Sequence, residues 1–180
     1  MIQEFLGASY FYYALSEAFL SKDLYHLYQT CKNLVESDYR EQALEVLKFI
    51  DNRRLEIELQ EIPEDTFLES TYRELEQNQL FMAYKSMGYE LEVDCKPDHL
   101  GIELKLLALL CADGNLKNQY RLIHLRLSWL KNLKERLRAM EALGCLSVVE
   151  LLERFLRDHK SFLFSQLKEG YSEEDQKRDQ

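Results

Sequence analysis

The run Leu104-Lys105-Leu106-Leu107-Ala108-Leu109-Leu110-Cys111 constrains the fold more than any other stretch of the chain. Lys105 apart, it is apolar on every side of a helix. Such a helix is stable only where other elements surround it, so the chain has to build its architecture around this segment. The residues just before it set its start. Pro97 stops whatever precedes, and Asp98 is placed to cap a new helix by accepting hydrogen bonds from its free backbone amides. His99 and Glu103 lie four residues apart and share one face of that helix. A capped central helix with a His/Glu pair at its entrance reads as a positioned polar site.

The rest of the chain is the material of a helical bundle. In 180 residues there are six glycines and two prolines, which favours long helices joined by short loops. A chain of this length fits one domain with a substantial core. Helical spacing of apolar residues predicts seven helices. The first covers residues 3–19, with Phe5, Tyr12, Leu15 and Phe19 on its stripe. Ser21 is the expected N-cap of the second, which carries Leu24, Leu27, Tyr28, Cys31 and Leu34. Ser37 or Asp38 opens a long third helix that ends near Pro63. Residues 62–70 read as a connector. A fourth helix covers 72–87, with Gly88 as its C-terminal glycine. The fifth covers 98–111. The sixth covers 117–142 and is broken by Gly144, and the last covers 146–167. The expected fold is therefore all-α: a single helical domain over residues 1–169, followed by a charged, fraying tail over 170–180. No segment shows the alternation of a strand, and no repeat of solenoid period occurs.

Charge and cysteine usage narrow the function. The net charge of −9 opposes binding to nucleic acid or to an anionic membrane surface and favours a basic partner. Cys31, Cys95, Cys111 and Cys145 form no C-x-x-C pair, so each reads as a small core residue in a reducing compartment. The start of the chain lacks the basic n-region of a signal peptide, and no uncharged run reaches the length of a membrane span. The expected location is the cytoplasm. There is no phosphate-cradling glycine loop, no G-x-S-x-G elbow and no H-E-x-x-H motif. The chain is therefore expected to be no enzyme and to hold no metal or cofactor.

The candidate residues carry more than one reading. His99 and Glu103 fit a structural polar pair, a pair that touches a ligand, or two of the ligands of a metal. Tyr72 and Tyr84 frame an aromatic stripe of core type, and Tyr72 also suits the wall of a groove. Glu69, Asp98 and Glu103 together would give that groove an acidic rim. His124 and Trp129 are expected on one helix, in part facing the interior. His26 and His159 are expected at the surface.

Three segments carry a resemblance. Pro97-Asp98-His99-Leu100-Gly101-Ile102-Glu103-Leu104 resembles the P-D-H-L-x-x-E-L motif of the TorD-like redox-enzyme maturation chaperones. Glu69-Ser70-Thr71-Tyr72 resembles the E-S-V-Y/W element that precedes it in that family. Between them, Tyr84-Lys85-Ser86-Met87-Gly88-Tyr89 resembles the family's Y-x-x-x-G-L segment. The order along the chain is the same. The resemblance implies an all-helical chaperone that binds the N-terminal, twin-arginine type leader of a molybdenum-containing oxidoreductase. It holds the catalytic subunit until the cofactor is inserted and export can follow. The implied peptide-binding residues are Glu69, Ser70, Tyr72, Tyr84, Pro97, Asp98, His99, Leu100 and Glu103. Two alternatives stand beside this. One is a NarJ-like chaperone of a cytoplasmic molybdoenzyme subunit. The other is a small helical nucleotide-binding protein or enzyme.

Overall fold

The computed structural model describes the backbone of residues 2–92, 94–126 and 128–178, and the side chains of residues 7–92, 94–125 and 128–169. Phe5 and the tail side chains from 170 onward lie outside those described side chains. Among the described residues there are nine α-helices and no named strand. They are α1 (Ile2–Leu20), α2 (Tyr25–Leu34), α3 (Arg40–Asp51), α4 (Arg54–Glu61), α5 (Gln77–Ser86), α6 (Leu100–Ala112), α7 (Leu116–Arg126), α8 (Leu130–Ala139) and α9 (Leu143–Arg178). Two short 3-10 turns, Glu64–Phe67 and Glu69–Thr71, lie between α4 and α5. The protein is an all-α single-domain bundle, with nine helices among the described residues where periodicity alone predicts seven.

α6 is the central helix. Leu100, Leu104, Leu106, Leu107, Ala108 and Leu110 are all buried along it. Each fully buried leucine contributes roughly 1.5–3 kcal/mol of transfer free energy, so this one helix is a principal source of stability. α6 packs chiefly on α1, and the Ser9 hydroxyl of α1 donates to the Ala108 carbonyl at 2.8 Å. α9 is the second spine, packed against α3, α4, α7 and α8. Phe11 of α1 meets Phe155 of α9 with ring centroids 4.0 Å apart, closing the bundle between the two long helices.

The differences from the expected boundaries have local causes. The long third helix is two helices, because Arg53 adopts a left-handed φ of 62° and the Asn52 side chain accepts the Arg54 amide at 3.0 Å. Asn is suited to that turn by its short polar side chain. The expected sixth helix is also two. α7 ends where Arg73 donates to the Leu125 carbonyl at 3.1 Å and to Ser128 Oγ at 2.9 Å, and Trp129 turns into the core. Ser21 does not cap α2: its amide continues α1 by bonding the Glu17 carbonyl, and Asp23 Oδ1 accepts the Tyr25 amide at 2.9 Å instead. α3 starts at Arg40, after a turn in which Ser37 Oγ accepts the Tyr39 amide.

α5 starts at Gln77, so Tyr72 lies in the connector. Gly88 does end α5. Its φ is 95°, its amide bonds the Lys85 carbonyl, and the Tyr89 amide bonds the Tyr84 carbonyl, which is the Schellman arrangement. Gly144 is not a breaker. The chain turns earlier, at Glu141, whose φ is 56°, and Gly144 lies in the first turn of α9. Helical backbone continues through the expected tail as far as Arg178.

Candidate functional site

The two motif segments meet. The Glu69 amide donates to the Asp98 carbonyl at 3.0 Å, and Leu68 and His99 form an isolated antiparallel bridge. The Ser70 amide donates to Asp98 Oδ2 at 2.9 Å, and Gln77 Nε2 donates to Asp98 Oδ1 at 3.0 Å. One carboxylate thus ties the 3-10 turn before Tyr72, the start of α5 and the entrance of α6. Burial pushes the Asp98 pKa up, but the hydrogen bonds from Ser70 and Gln77 outweigh it and hold the carboxyl below its ordinary value.

Asp98 is not the cap of α6. The N-cap is His99, whose Nδ1 accepts the Gly101 amide at 3.0 Å. The reason is geometric: Asp98 points back to the Ser70 turn, and α6 starts one residue later than the Asp signal implies. An accepting Nδ1 is unprotonated, so the neutral ring carries its proton on Nε2. Burial keeps the His99 pKa low, against the opposing pull of Glu64 and Asp98.

The surroundings are closed. Glu69, Asp98, His99 and Glu103 are buried, as are Pro97, Leu100 and Tyr84, whereas Tyr72 is half-buried and Ser70 is exposed. The three carboxylates therefore form no open acidic rim. Arg73 stands one turn beyond Glu69 and pairs with its carboxylate. Tyr84 Oη donates to the Pro97 carbonyl at 2.7 Å, which pins α5 to the turn that starts α6. Glu103 borders an apolar cavity of about 30 Å³, enclosed by Leu104, Leu107, Leu122 and Ile123 among others. Tyr72 donates to the Thr66 carbonyl at 2.6 Å and stacks on buried Trp129 at 5.6 Å, with the Arg136 guanidinium 6.0 Å from its ring centre.

Other expectations change with the tertiary contacts. His159 is buried, because it accepts or donates a 2.7 Å hydrogen bond with Tyr12 Oη in the α1/α9 core. His26 is half-buried under Tyr10, Tyr13 and Tyr25. His124 is exposed and stacked on Tyr120, on a different helix from the element that Trp129 precedes. Cys31, Cys111 and Cys145 are buried and Cys95 is half-buried. Among the described residues no group of three or more His, Cys, Asp or Glu side chains could hold a metal ion, and no helix is long and apolar enough to cross a membrane.

Sequence reasoning missed three members of the junction. Arg73 had a signal, its i,i+4 spacing from Glu69. Gln77 had none, since its role depends on where Asp98 is delivered. Arg136 reaches Tyr72 from a distant helix and likewise had none. Compared with protein families, curated proteins and solved structures, the chain matches none. The resemblance to TorD-like chaperones therefore rests on the motif residues themselves.

Proposed function

We propose that the protein is a cytoplasmic maturation chaperone of the TorD-like type, which binds the N-terminal leader of a molybdenum-containing oxidoreductase and releases it once the cofactor is in place. The observation that carries this reading is the direct bonding of the two motifs, Ser70 to Asp98 across 28 residues. Motif residues that are joined in space, and not merely ordered along the chain, are what a shared site requires. Because Glu69, Asp98 and His99 are buried, their part in this reading is to fix the turn at Ser70 and Tyr72 against the start of α6. The leader meets the accessible surface that they hold in shape.

The physical chemistry suits a reversible binder. A protein of net charge −9 attracts an arginine-bearing segment. Each charge-assisted hydrogen bond adds about 1.5–3 kcal/mol and each buried leader leucine roughly 1.5–3 kcal/mol. Ordering a flexible leader offsets much of that gain, which leaves moderate affinity.

The test is co-purification from native cells with mass spectrometry of the bound proteins. Recovery of a molybdopterin oxidoreductase catalytic subunit is expected. If that subunit carries no leader, the NarJ-like form of the reading replaces the export form. Stoichiometric recovery of unrelated partners alone overturns both.

A further inference from the structure

Charge is placed unevenly along this chain. The whole carries −9, yet residues 115–140 hold seven Lys and Arg against one carboxylate, Glu135. On α8 three of these cations are matched inside the protein. Lys134 pairs with Glu153 at 2.8 Å, Arg136 with Asp65 at 3.4 Å and Arg138 with Glu150 at 3.3 Å. α7 differs. It contains no Asp or Glu, and its exposed Lys117 and Arg121 have no carboxylate partner among the described residues. The two lie four residues apart and share a face with Tyr120 and His124.

α9 supplies the other half of this face. Phe164 is 48% exposed and stacks on Tyr120 at 6.2 Å, and Tyr120 stacks on His124 at 5.8 Å with the rings nearly parallel. Lys160 Nζ is 5.9 Å from the centre of the Tyr120 ring, and Lys168 Nζ is 4.5 Å from that of Phe164. The result is a file of three rings bordered by Lys117, Arg121, Lys160 and Lys168. The α9 carboxylates do not neutralise it. Glu153 pairs with Lys134 and Arg157, Asp158 accepts the Tyr39 hydroxyl, and Glu169 has a partner of its own. The face runs about 10 Å along α7 from Lys117 to His124, and about 12 Å along α9 from Lys160 to Lys168.

Cations held beside partly exposed rings attract an anion that also has apolar surface. Three features select among anions. The face is only about two helical turns long, and charge is felt across about 8 Å at physiological salt. A short segment therefore meets the patch alone. A nucleic-acid duplex or an anionic membrane also meets the rest of a chain that carries 31 of its 32 Asp and Glu outside residues 115–140. The rings are engaged with one another and with lysine ammoniums, which leaves little free face for a single-stranded base to stack on. A second copy would have to bring a different, acidic surface. Such a heterologous contact adds copy after copy or closes into a ring, and gives a defined dimer in neither case.

We infer that the α7/α9 face is a docking surface for a short acidic segment of another protein, its carboxylates on Lys117, Arg121, Lys160 and Lys168 and an apolar residue on Phe164. The inference does not depend on the chaperone reading, whose leader has the opposite charge.

The experiment is a fluorescence-anisotropy titration of the full chain with a synthetic, dye-labelled peptide of about three helical turns. The peptide has glutamates at i, i+4 spacing beside a Leu/Phe stripe, and its twin has glutamines in their place. The glutamate peptide is expected to bind, and the glutamine twin to bind at least about tenfold more weakly. Lys117→Glu and Arg121→Glu should each weaken binding about threefold and together about tenfold, with the losses shrinking at high salt. Phe164→Gln should weaken it about threefold or more. His124→Arg should tighten it about threefold, a gain that misfolding cannot mimic. Lys105→Glu makes the same charge change on α6 and should leave affinity unchanged, and thermal melts of all variants check the fold. No binding by wild type, equal affinity for the two peptides, or an equal loss in Lys105→Glu and Arg121→Glu overturns the inference. Tighter binding of a single-stranded oligonucleotide of equal charge, or of phosphatidylglycerol vesicles, also overturns it. So does self-association in sedimentation that Arg121→Glu abolishes, which assigns the face to a second copy.

Discussion

The carboxylate of Glu58, on α4, accepts the backbone amide of Cys145, in the first turn of α9, at 2.7 Å across 87 residues. The same side chain accepts the Gly144 amide at 3.2 Å and is paired with Arg54 Nε at 3.0 Å. A side chain from another helix thus serves as the N-terminal cap of the longest helix. Both free amides and the positive end of the helix dipole favour the negative charge there. Glu58→Ala is expected to cost about 1–3 kcal/mol in urea unfolding, as loss of a cap with a charge-assisted bond does. Gly144→Ala should also destabilise, since its Cβ would lie 2.7 Å from Glu58 Oε2 and 3.1 Å from the Leu55 Cα. A double-mutant cycle should show strong coupling between the two; additive losses would mean that the contact is not made.

Asp98 is the fastening of the motif junction, and its removal should be felt there. Asp98→Ala is expected to cost about 2–4 kcal/mol, because two hydrogen bonds to a charged acceptor are lost. Ser70→Ala should cost less, about 1 kcal/mol, because the hydroxyl bond to Asp98 is lost while the residue-70 amide still donates to the carboxylate. Hydrogen exchange at the Ser70 amide supplies the local readout: it should accelerate in Asp98→Ala. Unchanged exchange would show that the carboxylate does not hold the turn.

The Tyr12–His159 pair makes stability depend on pH. Burial lowers the His159 pKa from 6.5 to about 4. Between those values the unfolded chain binds a proton that the folded chain does not. The contribution is therefore fully present above 6.5 and is lost as pH falls toward 4. Its ceiling is roughly 3 kcal/mol at 1.36 kcal/mol per pH unit. His159→Gln is expected to flatten the unfolding free energy between pH 6.5 and 4, measured by urea titration at each pH. Wild-type and variant profiles of equal slope would refute it.

The cysteines should divide three to one. Cys31, Cys111 and Cys145 are buried, and burial pushes the Cys31 and Cys111 thiols up to about 12. Cys95 is half-buried, in the wall of a hollow lined also by Ile102, Lys105 and Leu109. A maleimide reagent should label Cys95 first in the native protein and all four thiols in denaturant. Equal labelling of Cys145 and Cys95 in the native state would contradict the packing.

The Tyr72–Trp129 stack joins the motif turn to the start of α8. Tyr72→Phe removes the bond to the Thr66 carbonyl and is expected to cost about 1 kcal/mol. Tyr72→Ala should cost more, by about 0.5–1.5 kcal/mol for the stack together with the lost area. Trp129 emission gives a spectroscopic check, since loss of the ring stacked on it should change its surroundings. Identical emission in wild type and Tyr72→Ala would show the rings apart.

By itself the sequence determined the helical class and the central place of α6, since scarce glycine and proline favour long helices and a helix apolar on almost every side has to be packed among others. It also determined Gly88 as the end of α5, because a left-handed residue there is a local matter. The Glu69-Ser70-Thr71-Tyr72 and Pro97-to-Leu104 segments could be singled out as a pair from their residues alone. What only the tertiary structure decided is what each polar group meets. Asp98 looked like a cap because local pattern cannot show that the Ser70 amide would arrive from another segment. His159 looked like a surface residue because its partner, Tyr12, lies 147 residues away. Glu58 sits in a charged stretch, and nothing local separates it from its solvated neighbours until α9 is laid across it. Helix and turn follow from contacts within a few residues. Burial, charge state and hydrogen-bond partner follow from contacts between segments, which one-dimensional spacing does not encode.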